Sequence, residues 1–359
     1  MIRRYLGNYN NFACTGGNCP DTCCSGWMIE IDYASLEKYA VLRDKNPELF
    51  KDKIDWELDT FIRRENGDCA FLREDGLCQL QKTLGEESLC LTCDKYPRHK
   101  EEFPDVREYS LSISCPEVAK EFVGMAETLS FMEESDTVSD SEEYEDFNEQ
   151  LYGQLLEVRR LFFNLLNDGT VAFQQKALRI TSALTDIQDM LDFGQWDNCT
   201  DNVEGILNTS ADDKLASAYE QAVNSFETFL KLEPLREDFI SWVKEAHALV
   251  KSLNPDGFDN SLYDFRDSLS WLEQLKTNLC CYFLFTYFCG AVYDDYVFAL
   301  GQQAVFNPQF IETLLFSKWL QNKRSLLQSE ASEIIYKYSR ELEHSNENLI
   351  LLEQLLDEG

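Results

Sequence analysis

The chain is short of positive charge. Its 359 residues include 32 lysines and arginines against 65 aspartates and glutamates, a net charge of -33. Such a surface repels phosphate backbones, which excludes nucleic acid as the expected partner and favours a basic or lysine-rich one. Long apolar runs are also missing. The longest, LCCYFLFTYFCGAVY at 279–293, has fifteen residues, below the ~20 that a membrane span requires. It is expected to be a buried helix, with no membrane partner. No apolar segment follows MIRRYLGNYN, so no secretory signal is expected. The protein is therefore expected in the cytoplasm, where thiols stay reduced. There is no G-x-G-x-x-G loop to cradle a nucleotide, and no recurrent signature of a helical-repeat scaffold. Histidine occurs only three times.

Cysteine, by contrast, is plentiful and unevenly placed. Nine of the thirteen lie in the first 115 residues: Cys14, Cys19, Cys23, Cys24, Cys69, Cys78, Cys90, Cys93 and Cys115. A disulfide framework calls for a small secreted chain and an even count, and neither holds. Cys280, Cys281 and Cys289 sit among Phe, Tyr and Leu, where cysteine packs as a small hydrophobe. That does not explain the first group, whereas thiolate coordination does: zinc and iron–sulfur clusters both take about four sulfur donors. Adjacent thiolates at Cys23 and Cys24 serve one ion poorly, so they are expected to point apart, into two sites, unless one is a spectator. The count suits one cluster with spare ligands or two neighbouring four-ligand sites. The radical-initiating spacing C-x3-C-x2-C is absent, because Cys24 follows Cys23 at once. Cys90-x2-Cys93 stands without a second such pair.

The rest of the chain is patterned for helices. Asp32 is placed to cap a helix beginning at Tyr33. NGDCAFLREDGLC, 66–78, has the turn chemistry of a hairpin-like knuckle that brings Cys69 and Cys78 together. Pro116 suits a first helical position, making Cys115 the N-cap, where the helix dipole favours a thiolate. Val118, Phe122, Met125, Leu129 and Met132 continue a helical stripe. Residues 133–146, EESDTVSDSEEYED, carry eight acids and no base, as a linker does. Beyond it, amphipathic segments broken by Asn167-Asp168-Gly169, Pro234, Pro255-Asp256-Gly257 and Asn307-Pro308 predict a bundle. The expected fold is mainly α, a helical bundle with an N-terminal cysteine-rich metal-binding module containing little β structure. Its expected parts are the module with flanking helices (1–132), an acidic linker or loop (133–149) and an α-helical domain (150–359).

Four motifs in order carry a resemblance: C-x4-C-x3-CC-x-GW followed by IEID, then CAFLREDGLCQLQKTLGE, then TCDKYPR, then SLSISCPEVAK. Together they resemble the flagellin lysine N-methylase family, most strongly over residues 5 to about 120. The resemblance implies methylation of flagellin lysines with S-adenosylmethionine, and a [4Fe–4S] cluster. It places the metal ligands at Cys14, Cys19, Cys23, Cys24, Cys69, Cys78, Cys93 and Cys115. Cys90 is extra to the pattern. The module also resembles small bacterial cysteine-rich domains that bind zinc or an iron–sulfur centre. Methyl transfer needs a neutral lysine amine, whose ordinary pKa is about 10.4, yet no residue stands out in the sequence as its base. His99, beside Tyr96-Pro97-Arg98, is expected to be a satisfied surface histidine. Two other functions compete: a zinc-binding adaptor that recognises a basic protein, and a redox or metal-trafficking protein using Cys24 and Cys90.

Overall fold

A computed structural model describes residues 1–7, 9–135, 144, 147–194, 199–209 and 217–357. The first third holds six strands and five helices: β1 (Ile2–Leu6), α1 (Tyr33–Lys45), α2 (Pro47–Phe50), β2 (Ile54–Asp55), β3 (Thr60–Phe61), α3 (Gln79–Leu84), α4 (Leu91–Lys95), β4 (Arg98–Phe103), β5 (Val106–Leu111), α5 (Pro116–Gly124) and β6 (Phe131–Ser135). Among the described residues ten α-helices follow: α6 (Glu149–Asn167), α7 (Phe173–Asp192), α8 (Cys199–Leu207), α9 (Ala218–Phe229), α10 (Glu237–Ser252), α11 (Pro255–Ser268), α12 (Leu272–Thr286), α13 (Val297–Gln321), α14 (Gln328–Glu343) and α15 (Asn346–Asp357). The protein is mainly α, as its periodicity predicts.

The small amount of β structure expected takes the form of a four-stranded sheet and a two-stranded pair. Strands β4, β5, β1 and β6 lie in that order, β1 parallel to β5 and the other pairs antiparallel. These strands are rich in charge, which hides them from a hydropathy reading. Arg4 on β1 and Arg159 on α6 converge on Glu108 of β5, with Arg159 making bonds of 2.6 and 2.5 Å to its two oxygens. Burial opposes the Glu108 carboxylate, but Arg159 and Arg4 outweigh it and hold its pKa below the ordinary value. The cluster fastens the sheet to the helices.

The helical stripe extended through Met132 requires correction. Helix α5 ends at Gly124. Met132 lies on β6, opposite Tyr5, and is half exposed. Backbone pairing to β1 overrides the spacing of apolar residues there. The acidic stretch at 133–149 therefore begins inside the sheet. Residues 136–143, 145 and 146 of that stretch lie outside the described residues.

Two apolar cores result. The larger spans Leu6, Phe103, Val106, Cys115 and Phe122 of the first third together with the later helices. Helix α12 runs through it with Leu279 to Phe285 buried, as expected of the long apolar run. Among the described residues no helix is long and apolar enough to cross a membrane. The smaller core, Ile29, Ile31, Tyr39, Phe50, Phe61, Phe71 and Leu80, is packed with cysteines.

Candidate metal centre

Short-range bonds position the cysteine loops. Asp32 caps two helices at once. One carboxylate oxygen accepts the Ser35 N–H at the start of α1 (3.0 Å), and the other accepts the Leu91 N–H at the start of α4 (2.8 Å). Helix α4 carries Cys93 and is preceded by Cys90. The predicted knuckle is present: Gly76 adopts φ +76°, the Arg73 N–H donates to the Leu77 carbonyl at 3.0 Å, and Leu72 pairs with Cys78. The Cys69 N–H donates to the Cys24 carbonyl at 2.7 Å, joining the knuckle to the first cysteine loop.

All thirteen cysteines are free thiols. The nine early ones fall into two neighbourhoods. Cys24, Cys69, Cys78, Cys90 and Cys93 belong to the smaller core. Cys90, extra to the family pattern, is fully buried there. It shares a thiol hydrogen bond with Cys93 that holds Cys90 below and Cys93 well above the ordinary thiol pKa. Burial pushes Cys69 up to about 11, and the Cys78 thiol and the Cys90 thiol lie within its electrostatic reach. Cys14, Cys19 and Cys23 occupy the first loop. Cys115 lies across from them, at the edge of the larger core, within electrostatic reach of Cys19 and Cys23.

Cys115 is the N-cap of α5, as its position before Pro116 predicts. Its thiol is nonetheless pushed up to about 11, because burial outweighs the Val118 and Glu117 N–H groups. Cys23 and Cys24 do not part fully. Their thiols hydrogen-bond, which is the first cause of the raised Cys23 pKa. Their remaining neighbours differ: Cys19, Cys78 and Cys115 for Cys23, and Cys93 for Cys24.

Among the described residues, no three His, Cys, Asp or Glu side chains converge closely enough to hold one metal ion. A closed tetrahedral zinc site demands such convergence. An iron–sulfur cluster likewise gathers its cysteine thiolates round one inorganic core. The nine thiols form two adjoining neighbourhoods, of four and of five, each with at least the number of sulfur donors that a zinc site or a cluster takes.

The later helices press on this module through side chains that the sequence did not single out. The Trp27 ring of the GW motif stacks on His344 at 4.4 Å, and Tyr96 meets both rings edge-on or tilted at about 6 Å. Burial, then Arg340 and Arg236, push the His344 imidazole down to about 3, so it is neutral. Glu343 accepts hydrogen bonds from Ser112, from the Tyr282 hydroxyl (2.6 Å) and from the Ser339 hydroxyl (2.8 Å). His99 pairs with Glu101 at 3.2 Å on β4 and is half exposed, the satisfied surface histidine expected. Cys280, Cys281 and Cys289 are core residues.

The helices in this contact carry a family signature. The sequence profile of the FliB lysine N-methylase C-terminal domain matches residues 159–359, more than half of the chain. The chain belongs to the FliB lysine N-methylase family. It is 32% identical to the lysine-N-methylase of Salmonella typhimurium strain LT2 over 133 residues, which cover 34% of this chain and 33% of that protein. It is 32% identical to the flagellar biosynthetic protein FliU of Salmonella muenchen over 136 residues, 34% of this chain and 78% of FliU. The lysine-N-methylase of Salmonella choleraesuis strain SC-B67 is 31% identical over 134 residues, 35% of this chain and 33% of that protein. The chain thus spans about a third of the length of the lysine-N-methylases it matches. No solved structure matches it.

Proposed function

We propose that this protein is an S-adenosylmethionine-dependent lysine N-methyltransferase that acts on flagellin in the cytoplasm, with a [4Fe–4S] cluster held by the N-terminal cysteines. One observation supports the reading above the others: the segment that carries nine free thiols touches helix α14 of a lysine N-methylase family domain, through Asp21 and the Ser114 carbonyl against Arg340. The ligands proposed are drawn from Cys14, Cys19, Cys23, Cys24, Cys69, Cys78, Cys93 and Cys115, with Cys90 added by its burial against Cys93.

The chemistry sets requirements for the chain. In the transfer, the neutral lysine amine forms a bond to the sulfonium methyl carbon, the carbon–sulfur bond breaks, and the amine gives up a proton. The excess of 33 negative charges draws a cationic lysine to the surface. The same charge holds the amine protonated, so a desolvated pocket must oppose it. His344 is a poor proton acceptor, because the arginines and burial keep its pKa near 3. An open hollow of about 490 Å³ beside the cysteine loops is lined by Met28, Asp55, Phe61, Arg63, Arg64 and Glu65. Its two acids and two arginines balance, so it offers no net attraction for a cation.

Metal and acid-labile sulfide analysis on anaerobically purified protein tests the cluster. About four iron and four sulfide per chain, with broad visible absorbance and binding of S-adenosylmethionine, are expected. Zinc without sulfide, in a colourless protein with no affinity for the nucleoside, contradicts the reading and favours the adaptor.

A further inference from the structure

Two guanidiniums meet at the junction between α14 and the cysteine loops, and each keeps a buried donor without a hydrogen-bond partner. The Arg340 side chain is only 2% exposed. Its Nη1 donates to Asp21 at 2.7 Å, and its Nε donates to the Ser114 carbonyl at 3.1 Å. Its guanidinium lies 5.0 Å from the centre of the Tyr336 ring. Arg236 approaches the same Asp21 oxygen at 3.7 Å, with its stem over Gly26. Two guanidiniums thus share one carboxylate oxygen. Nη2 of Arg340 and Nη1 of Arg236 are buried without a hydrogen-bond partner.

A buried, unpartnered charged donor is costly, and such groups persist where something compensates them. The neighbouring acids do so poorly. Asp238 is 3.5 Å from Arg236 Nε and largely exposed. Glu341 turns an oxygen to the Leu235 N–H, and its other oxygen has no partner. The neighbours with charge to give are thiols. Asp21 lies between Cys19 and Cys23, and Ser114 directly precedes Cys115. Arg340 therefore bridges the two segments that carry these three sulfurs. Arg236 reaches Asp21 and His344 reaches the Ser114 hydroxyl, and Arg340 touches both segments.

We propose that Arg340 is a positioning residue for the metal–thiolate centre: it holds the Cys19–Cys23 loop against Cys115 and, with Arg236, offsets the negative charge of the bound thiolates. The proposal rests on the metal reading above. A thiolate-bound [4Fe–4S] or zinc centre is a net anion, and a nearby guanidinium both retains it and favours its reduced state.

The test uses full-length protein purified without oxygen: wild type, Arg340→Met, Arg340→Lys, and Arg324→Met as a surface control. Metal per chain, its rate of loss to a chelator and, for iron, the midpoint potential are measured. Arg340→Met is expected to lose metal about 10- to 100-fold faster, and the iron centre that remains should have a more negative potential. Arg340→Lys keeps the charge but not the planar fork. It should hold the wild-type potential while still losing metal several-fold faster, and it decides the matter if Arg340→Met does not fold. Arg340 variants that retain metal and potential like wild type, beside a metal-loaded wild type, overturn this proposal alone. A wild type without metal overturns the cluster reading and this one together.

Discussion

At the scale of single residues, buried charge is the feature that hydropathy hides. Glu341 is 1% exposed, and burial raises its carboxyl to about 7 despite hydrogen bonds from the Leu235 and Arg236 N–H groups. Its folded-state pKa exceeds the ordinary 4.5. The stability linked to this group is therefore complete at acid pH and lost as pH rises through about 7, a term on the order of 3 kcal/mol. Glu341→Gln removes it. Melting curves from pH 5 to pH 8 should show the variant gaining on wild type as pH rises; a constant difference would contradict the assignment. Cysteine was the residue type most legible in advance. Its spacing foretold the knuckle that brings Cys69 near Cys78 and the N-cap position of Cys115. Arg340, Asp21 and His344 were not legible, because 319 residues separate Asp21 from Arg340 and nothing local in either segment announces the pairing.

Elements were legible where periodicity matched burial. Helices α6, α7, α9 and α10 follow their apolar spacing, and Asp32 caps α1 as its sequence position requires. What the sequence concealed is that the same Asp32 also caps α4, 59 residues further along the chain. Asp32→Ala should thus remove two caps, costing about 2 kcal/mol in urea unfolding. It should also loosen the turn bearing Cys90 and Cys93, so that a thiol reagent modifies the metal-free protein faster there. Unchanged modification rates would mean that the second bond does not position α4. The individual strands were not legible for a physical reason. β1, β4, β5 and β6 read IRRYL, RHKEEF, VREYSL and FMEES, and charges among them pair within a strand, as Lys100 with Glu102, or between elements, as Arg4 with Glu108 and Glu133. Arg4 and Glu108 are inside because each has the other.

At the scale of the whole molecule, the shared larger core and the Arg4–Glu108–Arg159 cluster make the first third and the family domain unfold together. Glu108→Ala leaves Arg159 buried without its carboxylate and should cost about 3–5 kcal/mol. Denaturant unfolding followed by tryptophan fluorescence and by far-ultraviolet dichroism should stay coincident; separate transitions would contradict a single cooperative unit. The same union gives the cysteine module its place, against the domain that carries the family signature, and the proposed function requires that methyl transfer depend on the metal. The most direct measurement is peptide mass spectrometry of flagellin after incubation with anaerobically purified protein and S-adenosylmethionine carrying a labelled methyl group. The account predicts label on flagellin lysine amines, absent when the metal has been stripped. Metal-loaded protein that binds S-adenosylmethionine yet leaves every lysine unlabelled would contradict it.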